Sequence, residues 1–151
     1  MANTQAMCTS FKGELLTGTH NFGTAPTRAS GAADQFKAAL YLASATINAS
    51  TTAYTTTGEV TGTNYTAGGV NVTNATAPTT AGTTAYWTPS ASLVFTNVTL
   101  STAFDCVLIY NSTQSNKAVS VHTFGSQTVT AGTFTLTMPT NGAGTALINI
   151  A

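Results

Sequence analysis

Thr133-Phe134-Thr135-Leu136-Thr137-Met138 is the stretch that decides the fold. Hydroxyl and apolar side chains alternate strictly, and a period of two places one kind on each face of a β-strand. The preceding Ala131-Gly132 reads as a tight hairpin turn, so a strand over residues 127–130 should fold back against this one. Upstream, Cys106-Val107-Leu108-Ile109-Tyr110 is the longest apolar run. It is strand-sized, and within residues 105–111 it reads as a central strand covered on both faces.

The same signals extend outward from these two stretches. Residues 111–116 form a turn cluster, and residues 118–124 form a strand split from 127–130 at Gly125. Residues 85–100 carry Trp87, Leu93, Phe95 and Val98, and Pro89 divides them into two strands. Residues 74–83 read as a loop, as do the threonine-dense residues 51–57 unless they form an edge. Gly68-Gly69 leads into a short strand at 70–72, and Phe36, Ala38, Leu40 and Leu42 share one parity in a strand beginning near residue 35. Residues 146–150 close the chain with a last strand. Eight or nine short strands with frequent turn signals predict an all-β fold, an antiparallel β-sandwich. No fixed-period repeat is present, which disfavours a solenoid or propeller.

One segment departs from this pattern. Met7, Phe11 and Leu15 recur at helical spacing within residues 5–18, with Leu16 beside them and Gly18 as the stop. Residues 18–31 then read as an arm, with Pro26 and the aromatic Phe22. The expected organisation is an N-terminal helix and extended arm over 1–31 and a β-sandwich over 32–151. The apolar face of the helix should dock on the chain's own sandwich or on a neighbouring subunit, and Phe11, Leu15, Leu16 and Phe22 are the candidate partner contacts.

Composition narrows the function. Of 151 residues, 34 are threonine, and only eight carry a formal charge, four of each sign. Threonine favours the pleated, half-buried surface of a sheet. Four scattered cations make no basic stripe, which argues against nucleic acid and against an electrostatic membrane anchor. A near-neutral surface permits dense association. The first residues show no basic n-region or apolar h-region, and no apolar run approaches the ~20 residues of a membrane helix. Synthesis in a cytoplasm is the expectation, which disfavours a disulfide between Cys8 and Cys106 and makes Cys106 a small buried hydrophobe.

The inventory for chemistry is thin. Asp105, Cys106 and His122 are the tightest constellation, since adjacent strands could bring Cys106 to His122. Yet Asp105 and Cys106 point to opposite faces of one strand, so the expectation is a protein without catalytic residues, cofactor or metal. Six Asn-x-Ser/Thr sequences, at Asn48, Asn64, Asn71, Asn74, Asn97 and Asn111, are read as turn residues rather than glycan acceptors. Thr133, Thr135 and Thr137 make a short hydroxyl row, too short without a repeat for an ice-binding lattice. Tyr41, Tyr54, Tyr65, Tyr86, Trp87 and Tyr110 could stack on sugars, but their scatter through strands fits core packing.

A resemblance appears at three places, the first of which joins two stretches. The opening Cys8-Thr9-Ser10-Phe11-Lys12-Gly13-Glu14-Leu15-Leu16 leads to Phe36-Lys37-Ala38-Ala39-Leu40-Tyr41-Leu42-Ala43. Then follow Gly58-Glu59-Val60-Thr61-Gly62-Thr63-Asn64-Tyr65 and Ser126-Gln127-Thr128-Val129-Thr130-Ala131-Gly132-Thr133-Phe134-Thr135-Leu136-Thr137-Met138-Pro139. In this order they resemble small β-sandwich structural proteins of tailed bacteriophages. The resemblance implies a virion protein: a capsid cement (decoration) protein on the shell exterior, partnered by the major capsid protein and often trimeric. The alternative it implies is a tail-fibre or tailspike module binding a host-surface glycan. It marks fold positions and carries over no functional residue. Hydroxyls that do not titrate would also make the surface insensitive to pH and only weakly sensitive to salt.

Overall fold

The computed structural model describes residues 2–22 and 33–151. The proposed division at residue 31 and most of the expected arm lie outside the described residues. The elements run β1 (Ala6–Met7), α1 (Thr9–Leu16), β2 (Phe36–Leu42), β3 (Val70–Asn71), β4 (Thr79–Ala81), β5 (Thr84–Trp87), β6 (Leu93–Asn111), β7 (Lys117–Leu136) and β8 (Ile148–Ile150). They form a five-stranded sheet in the order β1-β7-β6-β2-β3 and a three-stranded sheet β4-β5-β8, with every pair antiparallel. The all-β, sandwich-like class with an N-terminal helix is therefore as the sequence predicts.

The strand lengths are not. β6 and β7 run for 19 and 20 residues and pair along their length, from Leu93 with Leu136 to Asn111 with Lys117. Gly125 does not split β7, and Ala131-Gly132 is no hairpin turn. The register slips between Phe95 and Cys106 on β6, and Ala131 (φ 45) and Asn97 (φ 52) adopt the left-handed conformation within those slips. A bulge leaves a residue out of the ladder and bends the strand, and a strand that bends enough passes from one layer of a sandwich to the other. The turn chemistry was legible, but it makes corners in continuous strands.

Phe104 and Phe134 meet edge to face at 4.9 Å across that corner, and Phe124 joins them at 5.5 Å. The bent ribbon thus folds its far half, Leu93 and Leu136 included, back toward Val107, Ile109 and His122. The small sheet completes this side, with Trp87 at 6.0 Å from Phe36. The opposite face of the large sheet is covered by residues 43–69, where Tyr54 stacks on Tyr110 at 4.8 Å. Covered on both sides, β2 and the near half of β6 are buried almost without alternation.

Two further local readings change. Residues 79–81, expected as loop, pair with β5 through a two-residue turn at Gly82-Thr83. Gly82 has φ 57 in its first central position, as a type II′ hairpin requires. Met7, counted as helical, belongs to β1 and pairs with Ser120. The helix begins at Thr9, whose N–H donates to the Ala49 carbonyl at 2.8 Å. It ends as predicted at Gly18 (φ 65): Gly18 N–H donates to Leu15 O, and Thr19 N–H donates to Glu14 O. That is the Schellman arrangement, which satisfies two carbonyls the helix leaves open.

Candidate functional site

Three of the described charged side chains, Glu14, Asp34 and Lys117, meet with His20 in one cluster where α1 and the chain after it lie against the β6–β7 turn. Lys117 Nζ donates to Glu14 Oε1 at 2.6 Å, and His20 Nε2 lies 2.7 Å from Glu14 Oε2. The other ring nitrogen of His20, Nδ1, is 3.0 Å from Asn111 Nδ2. Asn111 Nδ2 also donates to Asp34 Oδ2 at 2.8 Å, while Asn111 Oδ1 accepts from the N–H groups of Thr113 and Gln114. Asp34 accepts in addition from Asn21 N–H and Gln114 Nε2.

These contacts set the protonation states. An amide nitrogen only donates, so His20 Nδ1 accepts and Nε2 carries the proton toward Glu14. Burial lowers the His20 pKa against the opposing pull of Glu14, which favours this neutral ring. Burial pushes the Glu14 carboxyl up, but the hydrogen bonds from Lys117 and His20 outweigh it and hold the carboxyl below its usual range. With both nitrogens occupied and its side chain 0 % exposed, His20 has no free lone pair to act as a base. The cluster is a polar rivet that fastens the N-terminal segment to the sheet.

The sequence candidates for chemistry separate. His122 lies opposite Val107 in the ladder, and Cys106 lies opposite Thr123, so Cys106 and His122 occupy opposite faces. No Cys–His pair forms. Burial pushes the Cys106 thiol up to about 12, away from a reactive thiolate, and lowers His122 to about 4. His122 lies 2.9 Å from Ser120 Oγ, and Asp105 accepts from Asn3 Nδ2 at 2.6 Å. Cys8 and Cys106 are both free and buried. Among the described residues no three metal-ligating side chains converge. No helix of the structure is long and apolar enough to cross a membrane.

The motif segments turn out to be packing devices. Glu59 is buried, and its carboxyl oxygens accept from Tyr54 Oη, Tyr65 Oη and Gly68 N–H at 2.6–2.8 Å. Thus Glu59 and Tyr65 of the Gly58–Tyr65 stretch bond to each other. Gly62 leaves no space for a side chain, since a Cβ there would stand 2.0 Å from the Thr99 carbonyl oxygen. Of the possible sugar-stacking aromatics, Tyr41, Trp87 and Tyr110 are buried, and Trp87 Nε1 already donates to the Thr76 carbonyl. Asn111 is fully buried and accepts no glycan, while Asn64 and Asn97 have positive φ at turns or bulges.

The partner-contact candidates divide. Phe11 is fully buried in the chain's own core, and Phe22 stacks on Phe36 at 4.3 Å. The helix therefore docks on its own sandwich. Leu15 is half-buried, and Leu16 is 91 % exposed. Beside Leu15, an apolar cavity of about 370 Å³ is lined by Phe11, Phe22, Tyr86 and Trp87.

One face was singled out from the sequence only in part, through the hydroxyl row of Thr133, Thr135 and Thr137. On the far half of the ribbon, Val94, Thr96, Thr133, Thr135 and Thr137 are exposed, while the alternate Phe95, Phe134 and Leu136 turn inward. No Asp, Glu, Lys or Arg occurs in residues 60–104 or 118–151, so the ribbon beyond the corner is free of charge. The alternation at 133–138 pointed to this face, but its partner row on β6 emerges only from the pairing. Compared with known proteins, the chain matches no family model, no curated protein and no solved structure.

Proposed function

We propose that this chain is a non-enzymatic structural protein of a tailed-bacteriophage virion. It acts as a cement protein on the shell exterior, bridging major capsid protein subunits, and works as a homotrimer. The observation that carries the reading is the uncharged, hydroxyl-rich outer face of the far ribbon, with Val94 opposite Thr135. Such a face loses little by desolvation, because it buries no charge and its hydroxyls can bond across an interface. Two surfaces of this kind associate by area, with ~1,600 Å² removed from water in a standard interface. Repetition over a symmetric shell then multiplies modest contacts.

Two further points support the reading. His20 and both thiols are internal and engaged or inert, and the ordering of segments resembles phage β-sandwich proteins. The homotrimer and the virion location rest on that resemblance. Gel densitometry of purified virions tests the role. On the order of hundreds of copies per particle is expected for a repeated shell component. A few tens or fewer would sink it and favour the tail-fibre or tailspike alternative.

A further inference from the structure

We propose that the Asn141-Gly142 step, in the loop between β7 and β8, is a self-modification site at which the folded chain converts its own asparagine to isoaspartate and aspartate. Asn141 is exposed. Among the described residues, neither its carboxamide nor the Gly142 N–H has a hydrogen-bond partner. The attacking group and the group attacked are therefore both free, and they sit on neighbouring residues. Gly142 adds no Cβ to hinder their approach. This chemistry does not depend on the cement reading.

The reaction needs only base and water. Base removes the Gly142 amide proton, and the nitrogen attacks Asn141 Cγ. An N–C bond forms, the Cγ–Nδ2 bond breaks, and Nδ2 leaves as ammonia with a proton from solvent. Water then opens the resulting succinimide at either carbonyl. Cleavage between the nitrogen and Cγ restores the ordinary main chain and leaves aspartate. Cleavage between the nitrogen and the main-chain carbonyl carbon routes the chain through Cβ, which is isoaspartate. One water is consumed, one ammonia is released, and nothing is oxidised or reduced.

The fold singles out this step. Every other asparagine of the chain precedes a residue with a Cβ. Asn149, the nearest in sequence, is also engaged: its Nδ2 donates to Ala146 O at 2.6 Å and its Oδ1 accepts from Gly144 N–H at 2.9 Å. The contacts that hold the loop fall beyond the reacting nitrogen. Gly142 O accepts from the N–H groups of Thr145 and Ala146 at 3.0 and 2.9 Å, and Thr145 Oγ1 donates to Thr140 O at 3.0 Å. Isoaspartate lengthens the main chain inside this arrangement and moves Gly142 O away from its two donors, just before β8. Either product also sets a carboxylate among residues 118–151, which otherwise hold no Asp, Glu, Lys or Arg.

Incubating the purified chain in neutral and in alkaline buffer tests this, with the chain unfolded in guanidinium as the reference for rate. Trypsin then cuts after Lys117, the last Lys or Arg, and releases residues 118–151 with Asn141 and Asn149 as their only asparagines. Fragmentation in the mass spectrometer locates the new acid, and enzymatic methylation of isoaspartyl groups measures the rearranged product. Conversion is expected at Asn141 and not at Asn149, with isoaspartate among the products and a rate that rises with pH. The folded chain should react within about tenfold of the unfolded one, since no local opening has to precede attack. Asn141→Gln moves the amide one methylene away at an exposed position, so it should keep the parent circular dichroism and lose the reaction. A folded rate more than about tenfold below the unfolded rate would overturn the proposal, because the loop would then protect the site. So would acid formed without isoaspartate, or equal conversion in Asn141→Gln.

Discussion

At the turn end of the β6–β7 hairpin, Lys117, Glu14, His20, Asn111 and Asp34 are joined by contacts of 2.6–3.0 Å, while beyond the corner the same two strands carry no formal charge. The first end holds the fold together, because its polar groups satisfy one another away from water. The second end meets solvent with threonine hydroxyls and keeps its aromatics for the corner. Described charge in this chain thus serves mainly internal organisation, and the surface left for partners is largely neutral. Lys12, exposed on α1, and the half-buried Lys37 lie outside the cluster.

The contrast breaks most readily at Asn111. Asn111→Ala would take from His20 Nδ1 and from the N–H groups of Thr113 and Gln114 the partner Asn111 gives them, and would remove one of the several hydrogen bonds that Asp34 accepts. Losing these hydrogen bonds, with the buried His20 nitrogen left unsatisfied, should cost roughly 2–3 kcal/mol. Urea unfolding would show this as a large drop in midpoint, and a loss under about 1 kcal/mol would mean that the rivet contributes little.

At the corner, Phe134→Ala removes a half-buried ring that touches Phe95, Phe104 and Phe124. The expected loss is about 2 kcal/mol, below the full cost of emptying a closed core site. Amide exchange should accelerate in residues 93–100 and 129–136 before it does at the turn end. Uniform acceleration would show that the two ends do not open independently.

Acid sharpens the comparison at similar size. His122 is held near 4 by burial, below the usual value of about 6.5. Its contribution to stability is complete above about pH 6.5 and is lost as pH falls toward 4, because the unfolded chain takes up a proton that the folded chain resists. His20, also lowered, acts in the same direction, and Glu14 adds its loss below the ordinary carboxylate range. Stability by thermal unfolding should therefore decline from pH 7 to 4, mostly between 6.5 and 4. A flat profile would contradict the burial of both rings. The expected pH-insensitive surface thus encloses a core that is acid-sensitive.

The smallest stability effect is expected at Thr135. Thr135→Lys places a charge on an exposed position and should shift stability by less than about 0.5 kcal/mol. If the far ribbon is the docking face, the same change should lower shell occupancy in add-back sedimentation. Unaltered occupancy would remove the ribbon from the interface.

Particular residues show how much was legible in the sequence. The alternation at 133–138, the apolar run at 106–110 and the Gly18 stop each report a local preference, and each was found where expected. Ala131-Gly132 was recognised as a backbone irregularity and given the wrong role. A turn and a bulge demand the same left-handed conformation, and only the pairing partner distinguishes them. The rivet had no sequence signal, since positions 14, 20, 34, 111 and 117 share neither spacing nor motif. Phe11 and Phe22 were singled out as candidate partner contacts, and the structure packs both into this chain's own core. That their packing surface is this chain's own core depends on distant residues, Phe36 and Trp87 among them.

By itself the sequence determined the β-class, the one short helix with its stop, and the small number of charged side chains. These follow from side-chain shape, period and composition, which act over a few residues. Tertiary structure alone decided that two long strands turn a corner together to build both layers. It also decided that Cys106 and His122 face apart. Those outcomes depend on register and bending, where a slip of one residue reverses which side chains meet.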